Sequence, residues 1–156
     1  MNDSASIFQN NLSNYYAKHY HTSPYKKLAA ELNVSLGTLK CWMSGKRVPT
    51  LSTLKELADK LGCHTYNLIE PSGNIERADI INNDIHKVLA ERLQIIFLER
   101  GAISVLNKLN VLNYSISQDS LMSYLRSTNF RLPTLRTLDR IADELGIKSF
   151  ELLKEG

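Results

Sequence analysis

The chain repeats itself. Pro49 to Glu70 (PTLSTLKELADKLGCHTYNLIE) returns without a gap 84 positions later as Pro133 to Lys154 (PTLRTLDRIADELGIKSFELLK), and ten positions are identical. Unrelated segments of ordinary composition would share roughly one or two. Most other positions change like for like, Leu57 to Ile141 and Tyr66 to Phe150 among them. The period is too long for a solenoid unit and has the length of a small domain. Two related domains in tandem are therefore expected in 156 residues. A domain of roughly 70 residues folds only around an efficient core, which favours short, tightly packed helices.

Composition narrows the function classes. The longest notable apolar run is Ile95-Ile96-Phe97-Leu98, far short of the roughly 18 residues a membrane span needs. The N-terminal MNDSASIF lacks the basic region and long apolar stretch of an export signal, so a cytoplasmic location is expected. Cys41 and Cys63 have no CxxC spacing and read as reduced thiols. Residues 1–74 hold eight Lys/Arg against five Asp/Glu, and residues 75–156 hold eleven against eleven. The whole net charge of +3 thus lies in the first half, which fits an anionic partner there.

Periodicity and caps divide each half into short helices. Ile7, Phe8, Leu12, Tyr15 and Tyr16 recur at helical spacing before a polar break at His19–Thr22. Ser23 is an N-cap candidate, with Pro24 in the first turn of a second helix. Asn33 suits the left-handed turn that ends it. Ser35 caps a third helix in which Leu39 and Trp42 share a face, and the loop Gly45-Lys46-Arg47 leads to Pro49. A helix over about Leu51 to Leu61 stops at Gly62, and a helical turn near His64–Ile69 closes the domain. Glu70-Pro71-Ser72-Gly73-Asn74 opens a linker. The expected organisation is a first domain over 1–70, a linker over 71–83 and a second domain over 84–156. Ile80 and Ile81 end the linker, extending the next helix or packing on the first domain. In the second half a long amphipathic helix runs from Ile85 to Phe97 and stops near Gly101. A helix over Ile103–Leu109 follows, then one capped by Ser117, the loop Ser127–Leu132, and the repeat. Strand signals are nearly absent, so the fold class is all-α with about five short helices per half.

The positions Leu28, Ala29, Leu32, Asn33, Val34, Ser35, Thr38, Leu39, Trp42, Gly45, Lys46 and Pro49 resemble the helix-turn-helix of the Cro and lambda-repressor superfamily, over roughly Phe8 to Glu70. The resemblance implies that Ala29 lets the third helix approach closely, that Val34 and Leu39 join the two helices, and that Trp42 anchors the third to the core. The second half resembles the family more loosely. Leu106 stands for Leu28, Leu121 for Leu39 and Tyr124 for Trp42, while Asn107 replaces the alanine. Eleven positions separate Leu106 from Ser117 against seven from Leu28 to Ser35, a longer turn.

What the resemblance implies about contacts follows from groove geometry. A recognition helix enters the major groove by its N-terminal end, while the helix before it crosses the backbone. Ser35, Leu36, Gly37, Thr38, Lys40 and Cys41 are then the outward positions of the third helix. Leu36, Gly37 and Cys41 stand where bases are read, with Leu36 suited to a thymine methyl. Tyr25, Lys26 and Lys27 at the second helix's start, and Ser44, Lys46 and Arg47 beyond the third, line the phosphates. In the second half Ser117, Gln118, Asp119, Ser120 and Ser123 form the outward set, with Arg126 and Arg131 nearby. Gln118 suits adenine, and Asp119 suits only a cytosine amino group.

No Gly-rich phosphate loop, paired acid motif or nucleophile arrangement is present, so no catalytic residue, metal ligand or cofactor is assigned. His19 and His21 form an HxH pair without further ligands nearby and read as a surface loop. Two function classes stand. One is a sequence-specific regulator of double-stranded DNA, resembling phage and mobile-element repressors or small bacterial transcription factors. Its second half either pairs two chains into a homodimer, with the apolar helix from Ile85 to Phe97 offering the surface, or makes a second DNA contact as half of a covalent pseudo-dimer. The other is a protein-interaction module on the same fold, an antirepressor or an inhibitor that binds a regulatory protein.

Overall fold

The structure, a computed structural model, describes residues 1–21, 24–71, 75–126 and 131–155. Among these, all regular structure is helical, and no strand occurs. Two compact units emerge: Asp3–Asn83, and Met1–Asn2 together with the chain from Asp84 onward.

In the unit Asp3–Asn83 the order is α1 (Ser4–Tyr20), α2 (Tyr25–Leu32), α3 (Leu36–Ser44), α4 (Leu51–Leu61) and a 3-10 turn (Thr65–Leu68). Each boundary has a local cause. Asp3 accepts the Ser6 N–H, Ser35 accepts that of Thr38 and Thr50 that of Thr53, so three helix starts are capped by short side chains. Asn33 ends α2 at φ 53°, and the Val34 N–H returns to the Ala29 carbonyl, the tight left-handed stop expected there. The residue preceding α2 is Pro24, which brings no side-chain cap; the expected cap Ser23, with Thr22, lies outside the described residues. Phe8, Leu12, Leu28, Leu32, Leu39, Leu54 and Leu57 form the core, and Trp42 meets Phe8 edge-on at 6.1 Å. Ala29 is buried in α2.

Residues 75–83, expected within a linker, lie against this unit. Ile75 is buried, the Ala78 N–H donates to the Gly62 carbonyl, and Arg77 covers Gly62. Asn83 is 8% exposed. Its amide donates to Asp59 Oδ1 (2.8 Å) and the Cys63 carbonyl (3.1 Å), while its oxygen accepts the Thr65 N–H (2.8 Å). Ile80 remains exposed and in no helix. Residues 72–74 lie outside the described residues.

The other unit contains α5 (Ile85–Glu99), α6 (Val105–Val111), α7 (Gln118–Leu125), α8 (Leu135–Leu145) and a 3-10 turn (Ser149–Leu153). Asp84, Ser104, Ser117 and Thr134 cap the four helices. The repeated sequence gives repeated burial. Leu51, Leu54, Leu57, Ala58 and Leu61 are the buried face of α4, and Leu135, Leu138, Ile141, Ala142 and Leu145 that of α8. The asparagine arrangement recurs with Asn2. Its amide donates to Asp143 Oδ1 (2.8 Å) and the Ile147 carbonyl (2.9 Å), and its oxygen accepts the Ser149 N–H (3.0 Å). The Asn2 backbone N–H also donates to Asp143 Oδ1, and these bonds hold the Asp143 carboxyl below the usual carboxylate range.

Three expectations for this unit are corrected. Leu106 does not occupy the place of Leu28, because Leu106 is 59% exposed. In α6 the buried residues are Lys108 and Leu109, followed by Leu112. Asn113 then turns left-handed at φ 51°, as Asn33 does, but Tyr114 follows it at φ 56°. The longer turn therefore carries two consecutive left-handed residues where the first unit has one. Second, α6 starts at Val105, since its cap is Ser104 and Ile103 stays 80% exposed. Third, the face of α5 from Ile85 to Phe97 is not spare apolar surface: Ile85, Val88, Leu89, Leu93, Ile96 and Phe97 are all buried within their unit. The loop residues 127–130 lie outside the described residues.

Candidate nucleic-acid interface

The outward side of α3 and its flanks assembles most of the expected contact residues. Ser35, Leu36, Gly37, Lys40, Ser44, Lys46 and Arg47 are exposed, and Thr38 and Cys41 are half-buried. The Ser35 hydroxyl both accepts the Thr38 N–H (3.1 Å) and donates to Thr38 Oγ1 (2.8 Å), which fixes the N-terminal turn. The first turn of α3 holds no acidic residue, and Leu36 and Gly37 there are exposed. Such a helix start favours anions.

The chain contains no Asp or Glu from Leu32 to Lys55, while Lys40, Lys46, Arg47 and Lys55 all fall inside that stretch. Lys55 is paired with Asp59 across one helical turn at 3.0 Å. Through α3 and the following loop the chain itself therefore carries only positive charge. The loop itself is built, since the Arg47 N–H donates to the Cys41 carbonyl and Gly45 sits at φ 77°. Gln9 was not read from the sequence, yet it holds this loop. Its amide donates to the Met43 carbonyl (2.7 Å), and its oxygen lies 3.1 Å from where a Gly45 Cβ would stand. A mid-helix glutamine 34 positions before its partner carries no sequence signal of such a role.

At the start of α2, Lys26 and Lys27 are exposed. Tyr25 packs edge-on against Tyr16 at 4.6 Å, and Tyr16 stacks on Tyr20. The Tyr15 and Tyr20 hydroxyls both donate to the Glu31 carboxylate, Tyr15 at 2.8 Å. Burial, then the Glu31 acceptor, pushes the Tyr15 phenol well above its ordinary range. This aromatic group stiffens the junction of α1 and α2. Its signal in the sequence was the pair of tyrosines at 15 and 16 with Tyr20 four residues on. Lys60 Nζ donates to the Leu32 carbonyl and closes the C-terminal end of α2.

In the other unit, Ser117, Gln118 and Asp119 are exposed on the first turn of α7 and Ser120 is half-buried. Ser123 is corrected: it is buried, and its hydroxyl donates to the Ser120 carbonyl at 2.7 Å, so it faces inward. Arg126 and Arg131 are exposed on either side of residues outside the description.

Neither cysteine joins a cluster. Cys63 is buried, and desolvation pushes its thiol up to about 12, so it stays protonated. Among the described residues, no group of three His, Cys, Asp or Glu is placed to hold a metal ion, and no helix is long and apolar enough to cross a membrane. His19 stacks on Tyr15 at 4.3 Å.

This geometry is a helix-turn-helix with a positive, acid-free outer helix. Residues 20–68 match the helix-turn-helix family model, a family of DNA-binding regulatory modules. No curated protein and no solved structure matches the chain.

Proposed function

We propose that the protein is a sequence-specific DNA-binding transcriptional regulator, of the kind found as repressors in phages and mobile elements. The unit Asp3–Asn83 lays α3 in the major groove of operator DNA. The observation that carries this reading is the acid-free stretch from Leu32 to Lys55 around an exposed, Ser-capped recognition helix. Leu36, Gly37, Lys40 and Cys41 face base edges, and Tyr25, Lys26, Lys27, Ser44, Lys46 and Arg47 face phosphates.

The unit beginning at Asp84 is read as a divergent second copy. Three likenesses support that: the shared buried face of α4 and α8, the Asn83 and Asn2 bonding patterns, and the donation of Asn11 to the Asn67 carbonyl and of Arg92 to that of Glu151. This copy pairs two chains into a homodimer, and a dimer of this kind binds an operator with two-fold symmetry.

Titration of duplex binding against salt tests the reading. Each phosphate neutralised contributes a slope of about −0.9 in log K against log[salt]. Lys46→Ala with Arg47→Ala should weaken all sequences alike and reduce the slope by about 2 per chain, about 4 for the dimer on its operator. No duplex binding even at low salt would overturn the regulator and leave the protein-binding module, an antirepressor or inhibitor, in its place.

A further inference from the structure

The second unit leaves an apolar surface uncovered. On α5 the outward ridge reads Glu91, Gln94, Ile95, Leu98 and Glu99. Ile95 is 45% exposed and Leu98 70%, and beside them Ile103 is 80% exposed. A hollow of about 200 Å³ lies among Gln94, Ile95, Leu98, Ala102, Ile103 and Lys108. Lys108 is only 8% exposed, and its ammonium donates to the neutral Gln94 Oε1 at 3.2 Å. The hollow therefore combines aliphatic walls with a largely buried lysine side chain whose described partner is an uncharged amide.

We infer that this hollow and the α5 ridge form the homodimer contact, with the ridge of one chain seated in the hollow of the other. The inference rests on the homodimer reading above and names its surface. The occupant is a second copy because the chain carries the complement of its own hollow. The α5 ridge presents an apolar centre, Ile95 and Leu98, bracketed one turn either side of Ile95 by the carboxylates Glu91 and Glu99. Two-fold pairing sets aliphatic on aliphatic and brings Glu99 of the partner subunit to Lys108, twice per dimer. A stable interface needs about 800 Å² per partner with an apolar centre and a polar rim. The four exposed aliphatics Ile95, Leu98, Ile103 and Leu106 supply the centre, and Glu91, Gln94 and Glu99 the rim.

Sedimentation equilibrium on the full chain, without DNA, reads the contact. The wild type is expected to be a dimer, and Leu98→Glu and Ile103→Glu should each raise its dissociation constant about 30-fold or more, as for central interface residues. Both positions are exposed, so circular dichroism should stay unchanged. Glu99→Lys and Lys108→Glu should each weaken self-association, and an equimolar mixture of the two should restore a heterodimer. If Lys108→Glu does not fold, Glu99→Lys alone decides the charge pairing, and a dimer indifferent to it removes that pairing. A monomeric wild type, or a dimer insensitive to Leu98→Glu and Ile103→Glu, overturns the contact. Because no DNA is present, loss of duplex binding with this dimer intact would count against the regulator alone.

Discussion

Gly37 lies inside α3 with ordinary helical geometry, and a Cβ built there meets nothing within 4 Å. Neither backbone conformation nor crowding in the chain demands a glycine. Glycine in a helix interior costs about 0.5–1 kcal/mol relative to alanine. Its presence on the outward face fits a surface that something outside the chain approaches closely, next to Leu36 and one turn before Cys41. Gly37→Ala, at the second residue of α3, is therefore expected to stabilise the fold by at most about 0.5–1 kcal/mol, while weakening duplex affinity. Thermal circular dichroism and fluorescence anisotropy read the two effects separately. A stabilised variant with unchanged affinity would remove Gly37 from the closest approach to DNA. The residue scale also marks where sequence reading stops. Cap and turn residues were legible because Ser35, Asn33 and Gly62 act on their own neighbours. Gln9, Glu31 and Asn83 were not, because their partners stand 34, 11 to 16 and 18 to 24 positions away.

At the scale of elements, the gapless repeat carried the most information. Its 84-position shift maps the buried face of α4 onto α8 without one exception. Legibility fell where the two halves differ in length. A leucine pattern alone set Leu106 against Leu28, but burial follows the left-handed turn, and Asn113 rather than a leucine marks the register. Hydrophobic spacing cannot count turn residues, since each additional left-handed residue rotates the next helix without changing its composition. The two outer helices offer a paired test. Ser35 and Ser117 cap α3 and α7 by the same bonds, at 3.1 Å and 3.2 Å. Replacing either by alanine should cost about 1 kcal/mol of stability. Ser35→Ala should also weaken duplex binding, because the cap orients the turn proposed to meet DNA, whereas Ser117→Ala should not. Isothermal denaturation and anisotropy compare them. An equal affinity loss in Ser117→Ala would bring α7 into the DNA interface, and Asp119 with it.

For the whole molecule, net charge was a blunt guide. The second half sums to zero, yet from Arg100 to Leu138 its only carboxylate is Asp119. Its remaining acids lie outside that stretch, so neutrality by halves conceals where each charge stands. The boundary between units was equally approximate, because composition marks a linker at Pro71-Ser72-Gly73-Asn74 and cannot reveal that residues 75–83 belong to the first unit. Ile75, Ala78 and Asn83 all pack on the first unit, and Asn83 satisfies the N–H of the buried Thr65. A fragment ending at residue 74 loses that acceptor, and a buried donor left unpaired costs about 1–3 kcal/mol. Residues 1–83 should therefore unfold in urea as one cooperative transition, and residues 1–74 should be less stable by about 1–3 kcal/mol, plus the smaller share from Ile75. Asn83→Ala in the full chain should reproduce much of the loss, whereas Ile80→Ala, at a position 86% exposed, should not. Equal stability of the two fragments would return residues 75–83 to the role of a plain connector, and the first unit would then end near Glu70.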